Sequence, residues 1–212
     1  MPLQTRILRI DTEAVEQDKL VLISDILQSE GVMVYPTETF YGLGALAFSE
    51  KAVRKVYRLK KRERGKPLSV VISDFAMAES IACSVVPLFR TLASEFWPGP
   101  LTLVIKARPI FPPQMLGPGG SLAMRIPKAV WLRELIRRLG IPITATSANI
   151  SGEEEISRSE EVLRVFRRKT DLIVDGGPTP GGWPTTIVDL TSDEPRLLRT
   201  GAVPVSRLQK YL

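Results

Sequence analysis

Residues 121–146 read SLAMRIPKAVWLRELIRRLGIPITAT, and the change of period along them decides the fold class. SLAMRIP (121–127) is a short, mostly apolar run of strand length. Residues 129–139 set apolar side chains at helical spacing and are stopped by Gly140. PITAT (142–146) is strand-like again. A strand, a helix and a strand in close succession are the repeating unit of an α/β protein.

The same alternation extends both ways. Upstream, RILRI (6–10) predicts a strand, and a helix follows near 13–29, with Asp11 or Thr12 as its cap and Gly31 as its stop. Strand VMVY (32–35) leads into the tight segment PTETFYGLG (36–44). Ser49 caps a helix running to about Lys60, whose apolar face is Ala52, Val53, Val56, Tyr57 and Leu59. Strand LSVVI (68–72), two short helices (75–82 and 87–96) and the rigid turn WPGP precede strand LTLVIKA (101–107), and 108–120 is a Pro- and Gly-rich loop. Downstream, Ser157 with Glu160 three residues on makes a capping box for a helix to about Lys169. Strand DLIVD (171–175), the loop GGPTPGGWP (176–184), strands TTIVDL and RLLR and a last helix after Pro204 complete the chain. With about seven or eight strands and six helices, the expected architecture is α/β, a single twisted mixed sheet covered by helices. At 212 residues without a linker-like segment, one domain over 1–212 is expected.

Composition removes whole classes of chemistry. The chain has no histidine, so Ser/His/Asp and Cys/His triads and histidine-ligated metals are excluded. Its single Cys83 can neither form an internal disulfide nor build a zinc site, which points to a reducing compartment and a cytoplasmic location, and no metal-ligating set is expected. No apolar run reaches the roughly 20 residues that span a bilayer, so no membrane partner is expected. The formal charge of +6 has one main source: KAVRKVYRLKKRERGK (51–66) holds nine basic residues against Glu63 alone. Lys60, Arg62, Arg64 and Lys66 leave a helix end together and could converge on a polyphosphate; the blander reading is a solvated face.

Ligands of open α/β sheets bind beyond strand ends, which directs attention to five polar loops. None carries a Walker loop, and GLG (42–44) lacks the third glycine of a dinucleotide fingerprint. TSANISG (146–152) offers hydroxyls, an amide and a glycine after a buried strand, fit for a small polar ligand or for an ordinary turn. PTET (36–39) reads as a Pro-led turn that leaves Glu38 exposed. Arg125, set in an apolar strand, requires an anion, either a structural carboxylate or a ligand's.

In order and wording these segments resemble the threonylcarbamoyl-AMP synthase family, the YrdC-like proteins, from about Val32 to Gly201. The resemblance rests on PTETFYGLG, Lys60-x-Arg62 with KPL (66–68), WPGPLT (97–102), MRIP (124–127), TSAN (146–149), TTI (185–187) and Arg199 before Gly201. It implies a nucleotidyltransferase that joins L-threonine, bicarbonate or CO2 and ATP, with Mg2+ on the phosphates, into threonylcarbamoyl-AMP and pyrophosphate. The product would pass to a downstream threonylcarbamoyl transferase for modification of a tRNA adenosine, with tRNA or other RNA as a further partner. By motif position, Thr39, Arg125 and Thr185 would hold threonine, with Arg125 on its carboxylate. Arg62, Lys66, Ser121, Ser147 and Arg199 would hold ATP, and Asn149 would brace the loop or meet the nucleotide. Lys60 would face the reacting carbamate or phosphate, making Lys60 and Arg62 the catalytic pair. The extra C-terminal domain of longer members is not expected.

One segment departs from this wording. Synthases resembling this chain read Glu-Ser-Thr-Ile where it has Pro184-Thr185-Thr186-Ile187, and PTTIVDLTSDEP is closer to YciO-like paralogues. A YciO-like tRNA-associated protein with little synthase activity and a non-catalytic RNA-binding module therefore stand as alternatives.

Overall fold

A computed structural model describes residues 4–63 and 65–212. In chain order the elements are β1 (Arg6–Arg9), α1 (Gln17–Gln28), β2 (Met33–Tyr35), β3 (Gly42–Gly44), α2 (Glu50–Lys60), β4 (Ser69–Val71), α3 (Phe75–Ile81), α4 (Pro87–Phe96), β5 (Leu101–Lys106), β6 (Ser121–Arg125), α5 (Val130–Leu139), β7 (Ile143–Ser147), α6 (Ser159–Phe166), β8 (Leu172–Asp175), β9 (Thr186–Asp189), β10 (Arg196–Arg199) and α7 (Val205–Leu208). The strands form one mixed sheet in the order β1-β8-β2-β3-β7-β4-β6-β5-β9-β10. The expected α/β class is therefore found, with ten strands among the described residues rather than seven or eight. No helix among them is long and apolar enough to cross a membrane.

The strand without a counterpart among the strand-like runs of the sequence is β3, and its glycines answer to packing. Tyr35 and Met33 pair directly across from Gly42 and Gly44 in the antiparallel β2/β3 ladder. A Cβ at Gly42 would lie 2.9 Å from Tyr35 Cζ, and one at Gly44 would lie 2.8 Å from Tyr35 Cε1. GLG therefore makes room for a buried tyrosine, whose hydroxyl donates to the Thr144 carbonyl at 3.2 Å.

Two helix starts differ from expectation because the supposed caps are used elsewhere. Asp11 accepts from the Glu13 amide in a local turn, and α1 begins at Gln17 without a side-chain cap. Ser157 gives its carbonyl to the Thr179 amide, and α6 begins at Ser159 without the capping box. Ser49 does cap α2, accepting from the Ala52 amide.

Strand alternation divides the sheet's two faces, and this division makes the site. Leu101, Leu103 and Ile105 of β5, Leu122 and Met124 of β6 and Val188 of β9 join the larger core. On the opposite face α1 (Leu20, Ile23, Leu27) and α5 (Trp131, Leu132, Leu135, Ile136, Leu139) cover Met33, Tyr35, Val71, Ile143, Leu172 and Val174. Their cover stops there. The opposite-parity side chains of β5, β6 and β9, which include Thr102, Val104, Ser121, Ala123, Arg125, Ile187 and Asp189, belong to neither core. They face a cavity.

Candidate active site

The cavity has a volume of about 670 Å³, with the uncovered strands as its floor and the connecting loops as its walls. This is within the size range of small-molecule and cofactor sites. Eight of the residues singled out from sequence line it: Thr39, Arg62, Lys66, Ser121, Arg125, Ser147, Thr185 and Arg199. They come from six separate stretches of chain, so only the tertiary fold could bring them together.

The basic loop is partly wound on itself. Lys61 ends α2 in the left-handed region, turning the chain sharply. Arg62 then donates to the carbonyls of Lys66 (Nε, 3.2 Å) and Pro67 (Nη2, 2.9 Å), and Lys66 Nζ meets Glu63 at 2.9 Å. Elsewhere Lys51, Arg54 and Lys55 are also ion-paired, so much of the +8 charge is locally balanced. Arg64 lies outside the described residues.

Lys60 and Asn149 do not reach the cavity surface. Lys60 is only 2% exposed, and its Nζ donates to Ser147 O (2.5 Å), Asn149 O (2.9 Å) and Asn149 Oδ1 (2.7 Å). These bonds use all three ammonium donors. Burial, assisted by the Arg62 charge and opposed by Glu155, lowers its pKa to about 8. The expectation that Lys60 faces the reacting group is therefore corrected: its ammonium lies beneath the β7 exit and braces it. Asn149 Oδ1 also accepts from Ser147 Oγ at 2.8 Å, while its Nδ2 donates to Glu153 O at 2.6 Å. These bonds tie the Asn149 side chain into the turn that follows β7.

Arg125 has a protein partner as well as a place in the cavity wall. Its Nη1 donates to Glu38 Oε1, which also accepts from the Lys128 amide at 3.3 Å. Glu38 is therefore not the exposed residue expected of PTET, since its side chain is 16% exposed. The turn itself closes through Thr37, whose hydroxyl donates to Phe40 O and accepts from the Thr39 amide.

A hydroxyl chain occupies another wall. Thr185 Oγ1 accepts from Arg199 Nη2 at 2.8 Å and shares a hydrogen bond with Thr102 Oγ1 at 2.9 Å. Arg199 Nε also donates to Thr185 O at 2.9 Å. This latch needs Gly201, because a Cβ there would strike the Pro184 carbonyl oxygen and lie 2.6 Å from Thr185 C. Sequence reasoning missed Thr102, Glu38, Glu155 and Asp189. The signal for Thr102 was available in LTLVIK, where Thr, Val and Lys alternate with Leu, Leu and Ile.

Comparison with known proteins gives this arrangement a context. The Sua5/YciO/YrdC family, described as telomere recombination, matches residues 25–201. The chain belongs to that family. Over 200 residues it is 36% identical to the threonylcarbamoyl-AMP synthase of Pyrococcus abyssi, covering 94% of this chain and 59% of that protein. The crystal structure of P. abyssi Sua5 complexed with L-threonine superposes with a TM-score of 0.92 at 35% identity, covering 97% of this chain and 60% of that one. The chain thus spans about three-fifths of the length of these two Sua5/YciO/YrdC relatives. E. coli YciO superposes with a TM-score of 0.85 at 27% identity, over 96% of this chain and 98% of that one.

Proposed function

We propose that this protein is an L-threonylcarbamoyladenylate synthase, condensing L-threonine, bicarbonate or CO2 and ATP with release of pyrophosphate. The observation that carries the reading is the convergence, in one cavity, of an arginine suited to a carboxylate (Arg125), hydroxyls suited to an amino acid (Thr39, Thr185) and three cations suited to phosphates (Arg62, Lys66, Arg199). The relationship to a threonylcarbamoyl-AMP synthase and to a Sua5 complexed with L-threonine supports it.

The chemistry needs no protein nucleophile, which suits a chain without histidine. The free amine of threonine adds to CO2 and loses a proton to solvent, giving a carbamate, and a carbamate oxygen attacks the α-phosphorus, expelling pyrophosphate. The protein's contribution is to align carbamate and phosphate and to neutralise charge developing on phosphate oxygens. Ser121 and Ser147 would hydrogen-bond the nucleotide. Lys60 and Asn149 would act indirectly by fixing the backbone of 147–149.

Among the described residues no three His, Cys, Asp or Glu side chains group to hold a metal ion. Mg2+ would enter on the triphosphate with its own waters, the usual way this ion reaches phosphoryl-transfer sites. When bound it would supply charge neutralisation beside Arg62 and Lys66. A cytoplasmic location, hand-over of the product to a transferase and contact with tRNA belong to the same reading.

The YciO-like alternative draws on Pro184-Thr185 and on the E. coli YciO superposition. Incubation with ATP, threonine, bicarbonate and Mg2+ separates the two. Threonine-dependent pyrophosphate release supports the synthase, and ATP binding without release supports the alternative.

A further inference from the structure

The cavity contains one charge that a phosphate-binding wall does not call for. Only two acidic side chains, Glu155 and Asp189, line it. Asp189 is engaged by the protein, accepting from the Thr191 hydroxyl at 2.7 Å and from Arg196 Nη2 at 3.2 Å. Glu155 is half-buried, and among the described residues its carboxylate has neither a hydrogen bond nor an ion pair. The loop that carries it is nevertheless fixed on both sides. Before it, the Ser151 amide donates to Lys60 O at 2.8 Å and Asn149 Nδ2 donates to Glu153 O at 2.6 Å; after it, the Tyr41 amide donates to Ile156 O at 2.8 Å. Burial lowers the pKa values of Lys60 and Arg199, and the Glu155 charge opposes this at both, so the carboxylate stands within electrostatic reach of these cations.

A fixed anion sharing a cavity with Arg62, Lys66 and Arg199 works against a bare triphosphate, because like charges repel strongly where protein displaces water. A divalent cation reverses the sign. In phosphoryl-transfer sites Mg2+ is held by substrate phosphates, waters and one or two carboxylates, and Glu155 is the cavity carboxylate that no protein group engages among the described residues. We propose that Glu155 selects the metal-loaded nucleotide, its carboxylate meeting the Mg2+ carried on the triphosphate and repelling nucleotide that arrives without it. This rests on the reading of the cavity as an ATP site and adds a specificity-determining residue to it. A carboxylate serving only as a counter-ion to Arg199 would hinder both forms of the nucleotide alike.

The test is calorimetric titration of the wild type, Glu155→Gln and Glu155→Ala with ATP in Mg2+ and with ATP in excess EDTA, without threonine so that nothing turns over. A site made of cations alone would favour the metal-free nucleotide, the more negative of the two. The wild type should instead bind Mg2+-loaded ATP about tenfold or more tightly than metal-free ATP. In both variants the metal-free form should gain about tenfold while the Mg2+-loaded form gains nothing, so the preference disappears. A wild type that does not prefer the Mg2+-loaded form overturns the proposal even if neither variant folds. A preference that survives both substitutions overturns it as well, and in favour of the counter-ion where both forms tighten equally. A wild type that makes the adenylate without that preference in ATP binding rejects the role of Glu155 and leaves the synthase standing. The predicted split in a protein that makes no adenylate keeps Glu155 as the metal-selecting group and rejects the synthase.

Discussion

Replacing Thr185 by valine removes the middle member of the hydroxyl chain Thr102–Thr185–Arg199 while keeping its volume. The consequences at the two ends differ. Arg199 is exposed and retains its bond to Thr185 O at 2.9 Å, so its freed Nη2 returns to water. Thr102 is 3% exposed, and its hydroxyl loses its hydrogen bond to Thr185. A stranded buried hydroxyl costs about 1–3 kcal/mol. Melting temperature should therefore fall by about 2–4 °C per kcal/mol for a chain of this size. Thr102→Val should cost less, because Thr185 is half-buried and its Oγ1 keeps the bond from Arg199 Nη2. The double variant should be little worse than Thr185→Val alone, since removing both polar partners leaves nothing unsatisfied; the coupling should be about 1 kcal/mol. Differential scanning calorimetry on all four proteins measures it. Strictly additive losses would show that the two hydroxyls are not paired, and the role assigned to Thr185 would fail with them. Thr185→Ser, which keeps the oxygen, should retain both stability and threonine KM.

Further expectations concern the basic loop, the buried lysine and the latch. Arg62→Ala and Lys66→Ala should each weaken ATP binding by about 10–150-fold, with threonine affected less, because charged hydrogen bonds to phosphate are lost; Glu63→Gln, which frees Lys66 from its ion pair, should leave ATP binding unchanged or tighter in the same titrations. Lys60 has a folded-state pKa of about 8 against an ordinary value of 10.5, so the unfolded chain binds more protons between those values. Wild-type stability should accordingly rise with pH across that window relative to Lys60→Met, and denaturant titrations from pH 7.5 to 10.5 showing no difference in slope would contradict the burial of this ammonium. Gly201→Ala should be among the most damaging small substitutions, at roughly 3 kcal/mol or more, since its Cβ would meet backbone of Pro184 and Thr185 rather than a side chain that can move.

The α/β class and most strands could be read from the chain because they depend on local period, whereas most of the eight cavity residues were marked only by the resemblance of their motifs to a known family. Arg125 stood out because a guanidinium in an apolar strand has few explanations. Glu38 did not, because a turn of Pro, Thr, Glu and Thr looks solvated until β6, far along the chain, brings Arg125 against it. Lys60 was misplaced for the opposite reason. It ends a strongly basic run, and charge patterning cannot show that one ammonium of that run turns inward under β7. The glycines of GLG were legible as glycines but not by cause, since the tyrosine they accommodate lies on the neighbouring strand.

The central claim is that this cavity makes threonylcarbamoyl-AMP. Its most direct test is mass detection of the adenylate after incubation of the purified protein with ATP, Mg2+, isotopically labelled bicarbonate and threonine. The account predicts a product carrying both labels, formed together with pyrophosphate and lost when either threonine or bicarbonate is omitted. No adenylate from a folded protein that binds ATP and threonine would contradict it, and recovery of activity in the Pro184→Glu, Thr185→Ser double variant would assign the loss to that motif.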